Sequence, residues 1–142
     1  MGTVVRPVVA TRVLVAGKAG GEVLSLTQPL SFWGGLDPAT GRIIDVHHPQ
    51  HDEVVTGRIV VMPSGRGSSS SSSVLAEAIR ARTAPAGVIL ADADPIVALG
   101  AIVAEELYAI TMPILEVADA AGYADIARAH RVRIRNDTIE DA

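Results

Sequence analysis

The sequence contains no cysteine in its 142 residues. The chain therefore cannot form a disulfide, supply a thiolate nucleophile, or hold zinc or an iron–sulfur cluster through thiolates. Lysine occurs once, at Lys18, so arginine makes up the rest of the twelve basic residues, and the formal net charge is −4. A weakly acidic chain is not expected to bind nucleic acid or an anionic membrane, whereas arginine suits fixed contacts to a carboxylate or phosphate.

Aromatic residues are scarce, at 3% of the chain, although hydrophobic residues make up 49%. The core must then be mainly aliphatic, which favours an α/β fold, and the length suits a single domain over residues 1–142. No stretch is apolar for long enough to span a membrane, and Met1–Ala10 lacks the pattern of a signal peptide, so we expect a cytoplasmic protein. The mean hydropathy of +0.34 is high for a free monomer, which indicates that a partner covers part of the surface.

The most distinctive stretch is a run of six serines, Ser68–Ser73, preceded by Gly65–Gly67. It lies between a β-branched run, Ile59–Val61, and a segment with helical periodicity, Val74–Arg82. A strand that enters a glycine-rich turn and then a helix directs several backbone N–H groups, and the positive end of the helix dipole, to one place. This junction is therefore predicted to hold an anionic substrate, with one of the serines taking part in the chemistry.

A different interpretation of the serine run is a flexible, low-complexity linker. A linker, however, does not need a strand signal and a helix signal at its two ends. The run also lacks the Gly-Lys-Ser or Gly-Lys-Thr of a Walker-type phosphate loop and the second glycine of a Gly-x-Ser-x-Gly nucleophile elbow. Both the functional loop and the linker stay open on the loop sequence alone.

The rest of the sequence predicts strands and turns first, and then alternating helices and strands. A turn is predicted at Gly17–Gly21, and Asp94-Pro95 is typical of a helix start, with the aspartate as the N-cap. The alternating charged and apolar residues of Arg131–Arg135 predict a half-exposed edge strand. The other predicted strands are Val4–Leu14, Glu22–Leu26, Arg42–Val46, Arg58–Met62, Gly87–Ala91 and Pro113–Val117, and the predicted helices are Val74–Arg82, Ile96–Leu107 and Asp119–Ala129.

Three histidines, His47, His48 and His51, resemble a metal-ligand cluster. Their proline-containing loop gives no regular ligand spacing, so we expect exposed side chains and no metal site. Trp33, the only tryptophan, either packs in the core or contacts a partner or substrate. Asp37, which precedes a proline, is typical of a turn residue.

Two motifs together resemble a known family. They are Ser31-Phe32-Trp33-Gly34-Gly35-Leu36-Asp37-Pro38 with Gly41, and Gly65-Arg66-Gly67-Ser68-Ser69. The pair is similar to the small subunit of aconitase X, and Gly17–Leu24, Pro85-Ala86 and Gly100–Ala104 fit the same pattern. The resemblance implies a swivelling β/β/α domain, the counterpart of the mobile fourth domain of aconitase. It also implies a hydro-lyase that is inactive without its large subunit, which carries an iron–sulfur cluster.

The resemblance assigns roles to the residues of both motifs. Ser68, which follows Gly67, matches the serine base of aconitase, and Ser69 matches the serine that holds a substrate carboxylate. Ser70 and Arg66 become further substrate contacts, together with Gly67, although the aconitase arginine follows its serines and Arg66 precedes them. From the other motif, the candidates for contact with the partner or the cleft are Trp33, Gly34, Gly35 and Asp37.

Members of this family dehydrate either cis-3-hydroxy-L-proline, giving pyrroline-2-carboxylate, or mevalonate 5-phosphate. Abundant alanine and arginine indicate a GC-rich bacterial genome, so we expect cis-3-hydroxy-L-proline and keep mevalonate 5-phosphate as the alternative. A further class of function is a non-catalytic module that binds an anion, carries a phosphoryl group or only caps the partner's cleft. The carrier requires a histidine in the loop, and the run Ser68–Ser73 has none.

Overall fold

An eight-stranded sheet forms the centre of the fold. The computed structural model describes residues 6–66 and 70–142. The strands of the sheet follow the order β1-β10-β9-β3-β6-β7-β8-β2, and β4 and β5 form a separate hairpin. The elements in chain order are β1 (Val8–Val9), β2 (Arg12–Val15), β3 (Lys18–Ser25), α1 (Phe32–Gly35), β4 (Leu36–Asp37), β5 (Arg42–Ile43), β6 (Ile59–Met62), α2 (Ser70–Arg80), β7 (Gly87–Leu90), α3 (Pro95–Tyr108), β8 (Ile114–Glu116), α4 (Ala120–Arg128), β9 (Arg131–Arg135) and β10 (Thr138–Asp141).

Four neighbouring strands of the sheet, β3, β6, β7 and β8, are parallel. Helix α2 connects β6 to β7 and helix α3 connects β7 to β8, as parallel strands require a long crossover. Beyond β8 the sheet ends with the antiparallel strand β2, and beyond β3 it continues through the antiparallel strands β9, β10 and β1. The alternation predicted for the second half of the chain is thereby confirmed.

The parallel strands are buried on both faces. In β6, Val60 and Met62 face one core, which also contains residues of α2 and α3, whereas Ile59 and Val61 face a second core. The second core also contains Ile134 and other residues of β9 and β10. The sheet therefore curls so that its antiparallel strands β9 and β10, with Ile126 of α4 beside them, cover one face of its parallel part, while α2 and α3 cover the other. This is the predicted β/β/α arrangement of layers.

The start of α3 is formed as the sequence predicts. Asp94 is the N-cap and its side chain accepts a hydrogen bond from the N–H of Ile96 at 2.8 Å, with Pro95 in the first turn. Asp119 caps α4 in the same way by accepting from the N–H of Gly122 at 2.8 Å. Both aspartates satisfy N–H groups that a helix leaves without an internal partner.

Two predictions for the N-terminal region are wrong. Within the described part of Val4–Leu14 there are two strands, and they pair at opposite ends of the sheet, β1 with β10 and β2 with β8. Gly20 and Gly21 lie in β3 and Gly17 directly precedes that strand, so no turn forms there. A Cβ atom on Gly21 would lie 2.6 Å from the carbonyl oxygen of Gly57, so this glycine allows close backbone approach within a strand.

The prediction of an edge strand at Arg131–Arg135 is also wrong. Strand β9 lies between β3 and β10, and its alternating pattern arises because one face packs on the second core while the other faces solvent. Strand β10 was not predicted, because its four residues include two acidic ones. The signal was the two-residue turn after β9, where Asn136 has a φ of 56°, a conformation that asparagine tolerates.

Among the residues that the structure describes, no helix is long and apolar enough to cross a membrane.

Candidate functional site

Four loops meet at one edge of the sheet, because β3, β6, β7 and β8 run in the same direction and end there. The loops are residues 26–31, 63–66, 91–94 and 117–119, and this edge is called the carboxyl edge below. The loop after β6 is bonded on both sides, because Leu30 forms a parallel bridge with Gly65 and the N–H of Asp92 donates to the oxygen of Pro63 at 3.0 Å. The loop after β6 is thus held between its two neighbours, which is the usual place for a ligand in a parallel sheet.

Gly65 packs directly against the cap of α3. A Cβ atom at Gly65 would overlap Oδ2 of Asp94 and would lie 2.7 Å from Cγ2 of Val97. The same loop pairs with Leu30 through an isolated parallel bridge. Any larger residue at position 65 would therefore push the loop away from α3, which explains the glycine by close packing.

The serine run divides at the start of α2. Arg66 is exposed at the end of the described loop, whereas Gly67, Ser68 and Ser69 lie outside the described residues. Ser70 is exposed in the first turn of α2, and Ser71 and Ser72 are buried in that turn. The helix predicted to start at Val74 therefore already includes the serines from position 70. The apolar periodicity could not show this, because the buried positions of the first turn are occupied by serine.

The turn that carries Trp33 lies next to the first turn of α2. Ser31 Oγ donates to the carbonyl oxygen of Trp33 at 2.9 Å, and the N–H of Trp33 donates to Ser71 Oγ at 3.3 Å. The side chain of Trp33 is 61% exposed, so it does not pack in the core. Gly34 is exposed with a φ of 78°, which favours glycine.

The other two candidates of this motif have local roles. Gly35 is buried, and a Cβ there would lie 3.1 Å from Cδ1 of Leu30. Asp37 Oδ1 accepts from the N–H of Ala39 at 2.9 Å, as predicted for a turn residue. Contact of any of these residues with a partner or substrate stays a prediction.

A buried carboxylate at the carboxyl edge was missed by sequence reasoning. Glu116 ends β8 and is 7% exposed. Its Oε2 accepts from the N–H of Ala93 at 2.8 Å, and its Oε1 lies 3.9 Å from Nε of Arg12. The signal was a glutamate inside the apolar run of β8, since a buried carboxylate needs partners. Glu116 holds the loop after β7 and places Arg12 at this edge.

The histidine segment forms no metal centre. His48 is 6% exposed, its Nε2 lies 3.1 Å from the oxygen of Gln28, and its Nδ1 accepts from the N–H of Gln50 at 3.0 Å. The prediction of exposed histidines is thus wrong for His48, because both of its ring nitrogens find backbone partners inside the fold. Across the described ranges, no three His, Asp or Glu side chains are grouped so as to hold a metal ion. These described residues therefore offer no metal-ligand set, and the sequence has no cysteine to hold an iron–sulfur cluster.

Two pKa shifts concern groups outside the four loops. In α2, the hydrogen bond from Arg80 lowers the pKa of Glu77. In α4, burial raises the pKa of Tyr123 to about 12. Neither group lies in the loops of the carboxyl edge.

Two β layers and one helical layer, with a glycine- and serine-rich loop at the carboxyl edge of the parallel strands, define a swivelling β/β/α domain. Within that class, the family model for the aconitase X swivel domain matches residues 8–141. The chain belongs to the aconitase X swivel domain family.

Several relatives support this assignment. The cis-3-hydroxy-L-proline dehydratase of Pseudomonas aeruginosa is 50% identical over 106 residues, which are 75% of this chain and 18% of that protein. The phosphomevalonate dehydratase small subunit of Methanothermobacter thermautotrophicus is 47% identical over 66% of this chain and 71% of that subunit. The crystal structure of holo aconitase X from Thermococcus kodakaraensis has a TM-score of 0.81 at 32% identity, covering 95% of this chain and 97% of that one.

The relatives differ in how much of their length this chain accounts for. It spans 18% of the P. aeruginosa dehydratase and 21% of the Hypocrea jecorina cis-3-hydroxy-L-proline dehydratase, which is 37% identical. Most of each of these two proteins therefore has no counterpart in this chain.

Proposed function

We propose that this chain is the small subunit of an aconitase X-type hydro-lyase that dehydrates cis-3-hydroxy-L-proline to pyrroline-2-carboxylate together with a large subunit. The observation that carries the proposal is the β6–α2 junction, where the loop with Arg66 leaves the carboxyl edge and α2 follows. The N-terminus of α2 offers N–H groups and a positive dipole end, and Arg66 adds an exposed positive charge, so the junction suits a carboxylate. Membership in the aconitase X swivel domain family and the names of the relatives point to the same reaction.

In this proposal Ser68 is the base of the reaction. The Ser68 alkoxide takes the proton from the α-carbon, the C–O bond at the neighbouring carbon breaks, and the hydroxyl leaves as hydroxide, which takes up a proton to become water. The carbon–carbon double bond that forms is part of an enamine, which tautomerises to pyrroline-2-carboxylate. A serine oxygen is a weak base unless its alkoxide is stabilised. The N-terminus of α2 and Arg66 supply that stabilisation, since both carry positive charge next to the loop.

The substrate carboxylate is assigned to the rest of the loop. Ser69, Ser70 and the N–H of Gly67 donate to it, and Arg66 provides charge. Ser70 is exposed in the first turn of α2, directly after the loop. Hydrogen bonds from N–H, hydroxyl and guanidinium groups to a carboxylate are among the stronger ones in proteins.

The remainder of the active site is assigned to the large subunit. The lengths of the P. aeruginosa and H. jecorina relatives support this division, because this chain matches only about a fifth of each. An iron–sulfur cluster is likewise assigned to the partner, as this chain has no cysteine, and it would supply Lewis-acid assistance to the leaving hydroxide. Trp33 and Gly34, both exposed, are proposed to contact that partner.

The positions of the basic residues bear on the choice of substrate. Arg42 pairs with Asp52 in the β5 region, and Lys18 starts β3, at the end of that strand away from the carboxyl edge. Neither supports a phosphate site beside the serine loop, which favours the unphosphorylated cis-3-hydroxy-L-proline. Arg12 favours the alternative, mevalonate 5-phosphate, because it lies at the carboxyl edge with a side chain that is 69% exposed.

Reconstitution with the large subunit tests the proposal. Dehydration of both hydroxy acids is assayed with the wild-type pair and with Ser68→Ala, Ser69→Ala and the control Ser73→Ala, whose side chain is exposed in α2. Loss of the base is expected to lower kcat by about 10²- to 10⁴-fold. Loss of Ser69 is expected to raise KM by about 10-fold, whereas Ser73→Ala leaves both constants unchanged. Near wild-type turnover of Ser68→Ala would refute the assigned base, and a pair without dehydratase activity would favour a non-catalytic anion-binding or capping module.

A further inference from the structure

Ser71 occupies an unusual place for a polar side chain. It is 2% exposed in the first turn of α2, and its Oγ lies beside the turn that carries Trp33. The N–H of Trp33 donates to it at 3.3 Å, and Ser31 Oγ lies 3.4 Å away. A buried hydroxyl is costly unless it is hydrogen-bonded, so the contacts of Ser71 account for its burial.

The direction of these hydrogen bonds follows from the chemistry of a hydroxyl group. Ser31 Oγ has one hydrogen, and it donates that hydrogen to the carbonyl oxygen of Trp33 at 2.9 Å. In the contact between Ser31 and Ser71, Ser31 must therefore accept and Ser71 must donate. The result is a closed ring: Trp33 N–H to Ser71, Ser71 to Ser31, and Ser31 to the Trp33 carbonyl.

This ring of hydrogen bonds holds the backbone of Trp33, whose side chain does not pack in the core. The indole of Trp33 is 61% exposed, and its backbone has a non-helical ψ of 118° beside Gly34 with a φ of 78°. Both polar backbone atoms of Trp33 are bound by the two serines. The backbone of Trp33, and so the point from which its indole projects, is therefore fixed relative to the N-terminus of α2.

We propose that Ser71 is a positioning residue, which acts through this ring to hold Trp33 in the orientation that contacts the large subunit. The inference rests on the proposed function for the existence of that subunit. This role distinguishes Ser71 from the serines of the same run that were assigned to the substrate, because Ser71 is buried and bonded to Ser31 and Trp33.

Fluorescence of the only tryptophan tests the ring in the isolated full chain. We expect Ser71→Ala and Ser31→Ala to lower the anisotropy of Trp33 at a temperature where circular dichroism shows all variants folded. The control Ser73→Ala, exposed in the same helix turn, is expected to match the wild type. Because one ring is broken in either case, the double variant should show no further decrease. An unchanged anisotropy in Ser71→Ala would overturn the proposal, since a merely structural serine would lower only the unfolding temperature.

Affinity for the large subunit tests the consequence. Loss of the ring is expected to weaken binding by about 3- to 10-fold in Ser71→Ala, an effect of the size of one hydrogen bond, and to leave Ser73→Ala unchanged. Equal affinity of Ser71→Ala and wild type would overturn the positioning role. The anisotropy measurement needs neither partner nor substrate, so it decides the existence of the ring even if the reconstituted pair has no dehydratase activity.

Discussion

Replacement of Gly65 by alanine should destabilise the fold by forcing the serine loop away from α3. The added Cβ would overlap Oδ2 of Asp94 and would lie 2.7 Å from Cγ2 of Val97. Asp94 cannot move without loss of its bond to the N–H of Ile96, which caps α3. Val97 is a β-branched residue in a helix, and such residues have few rotamers to adopt.

The magnitude follows from three contributions. Overpacking of a tight site costs about 1–3 kcal/mol, and loss of an N-cap costs about 1 kcal/mol. Alanine also restricts the unfolded chain, which raises the free energy of unfolding by about 0.4–1 kcal/mol where alanine is not strained. The net loss in the free energy of unfolding is therefore expected to be about 2–3 kcal/mol.

Urea denaturation of the full chain, followed by circular dichroism, measures this loss. Gly20→Ala is the matched control, because its Cβ would meet its nearest atom, the oxygen of Val132, at an ordinary 3.6 Å. This control is expected to be as stable as the wild type or slightly more stable. In a double-mutant cycle, Asp94→Ala removes part of the overlap, so the combined loss should be smaller than the sum of the two single losses by about 1 kcal/mol. Equal stability of Gly65→Ala and Gly20→Ala would refute the close packing of the loop on α3.

Three further predictions use other parts of the fold. His48→Ala should lower the free energy of unfolding by about 1–3 kcal/mol in urea denaturation, because it removes a buried ring and its bonds to the backbone of Gln28 and Gln50. The exposed His47 is the control, and an equal loss there would contradict this. Gly100→Ala should destabilise despite its better helix propensity, because its Cβ would lie 2.8 Å from the oxygen of Ser72, and a higher Tm would refute the close contact. Burial raises the pKa of Tyr123 from 10.0 to about 12, so the unfolded chain releases this proton first and stability should fall as the pH rises from about 10 to about 12; an equal fall in Tyr123→Phe, followed by urea midpoints, would contradict this.

The α/β part of the fold could be predicted because burial on both faces leaves a simple pattern. The apolar runs of β6, β7 and β8 and the Asp94-Pro95 helix start all carry local signals. The wrong strand predictions have a common physical cause, because the strands that pair with these segments are distant in sequence. Gly21 is a strand residue because it pairs with Val132 of β9, and β9 is an internal strand because β10 returns beside it.

The position of the candidate site could be predicted because residue types alone indicate it. Contacts that depend on which side chains are buried could not. The position of the serine loop at the end of β6 follows from the order of a strand, a glycine-rich turn and a helix. The roles of Ser31, Ser71 and Glu116 do not, because each depends on contacts across the fold with Trp33 or Ala93. A polar residue inside an otherwise apolar stretch, as Glu116 is, was the one usable signal.

The serine run serves two physical demands, and this explains its uniform composition. Ser71 and Ser72 are buried in the first turn of α2. The carbonyl oxygen of Ser72 approaches α3 so closely that a Cβ atom on Gly100 would lie 2.8 Å from this oxygen. Helices at such a distance require small side chains between them. The exposed positions, Ser70 and Ser73, do not carry this packing demand, and only Ser70 is assigned to the substrate in the proposed function. From Ser70 onward the run belongs to α2, so this part of it is not a linker. Small side chains suit the packing of α2 on α3, and hydroxyls suit the chemistry proposed for the loop.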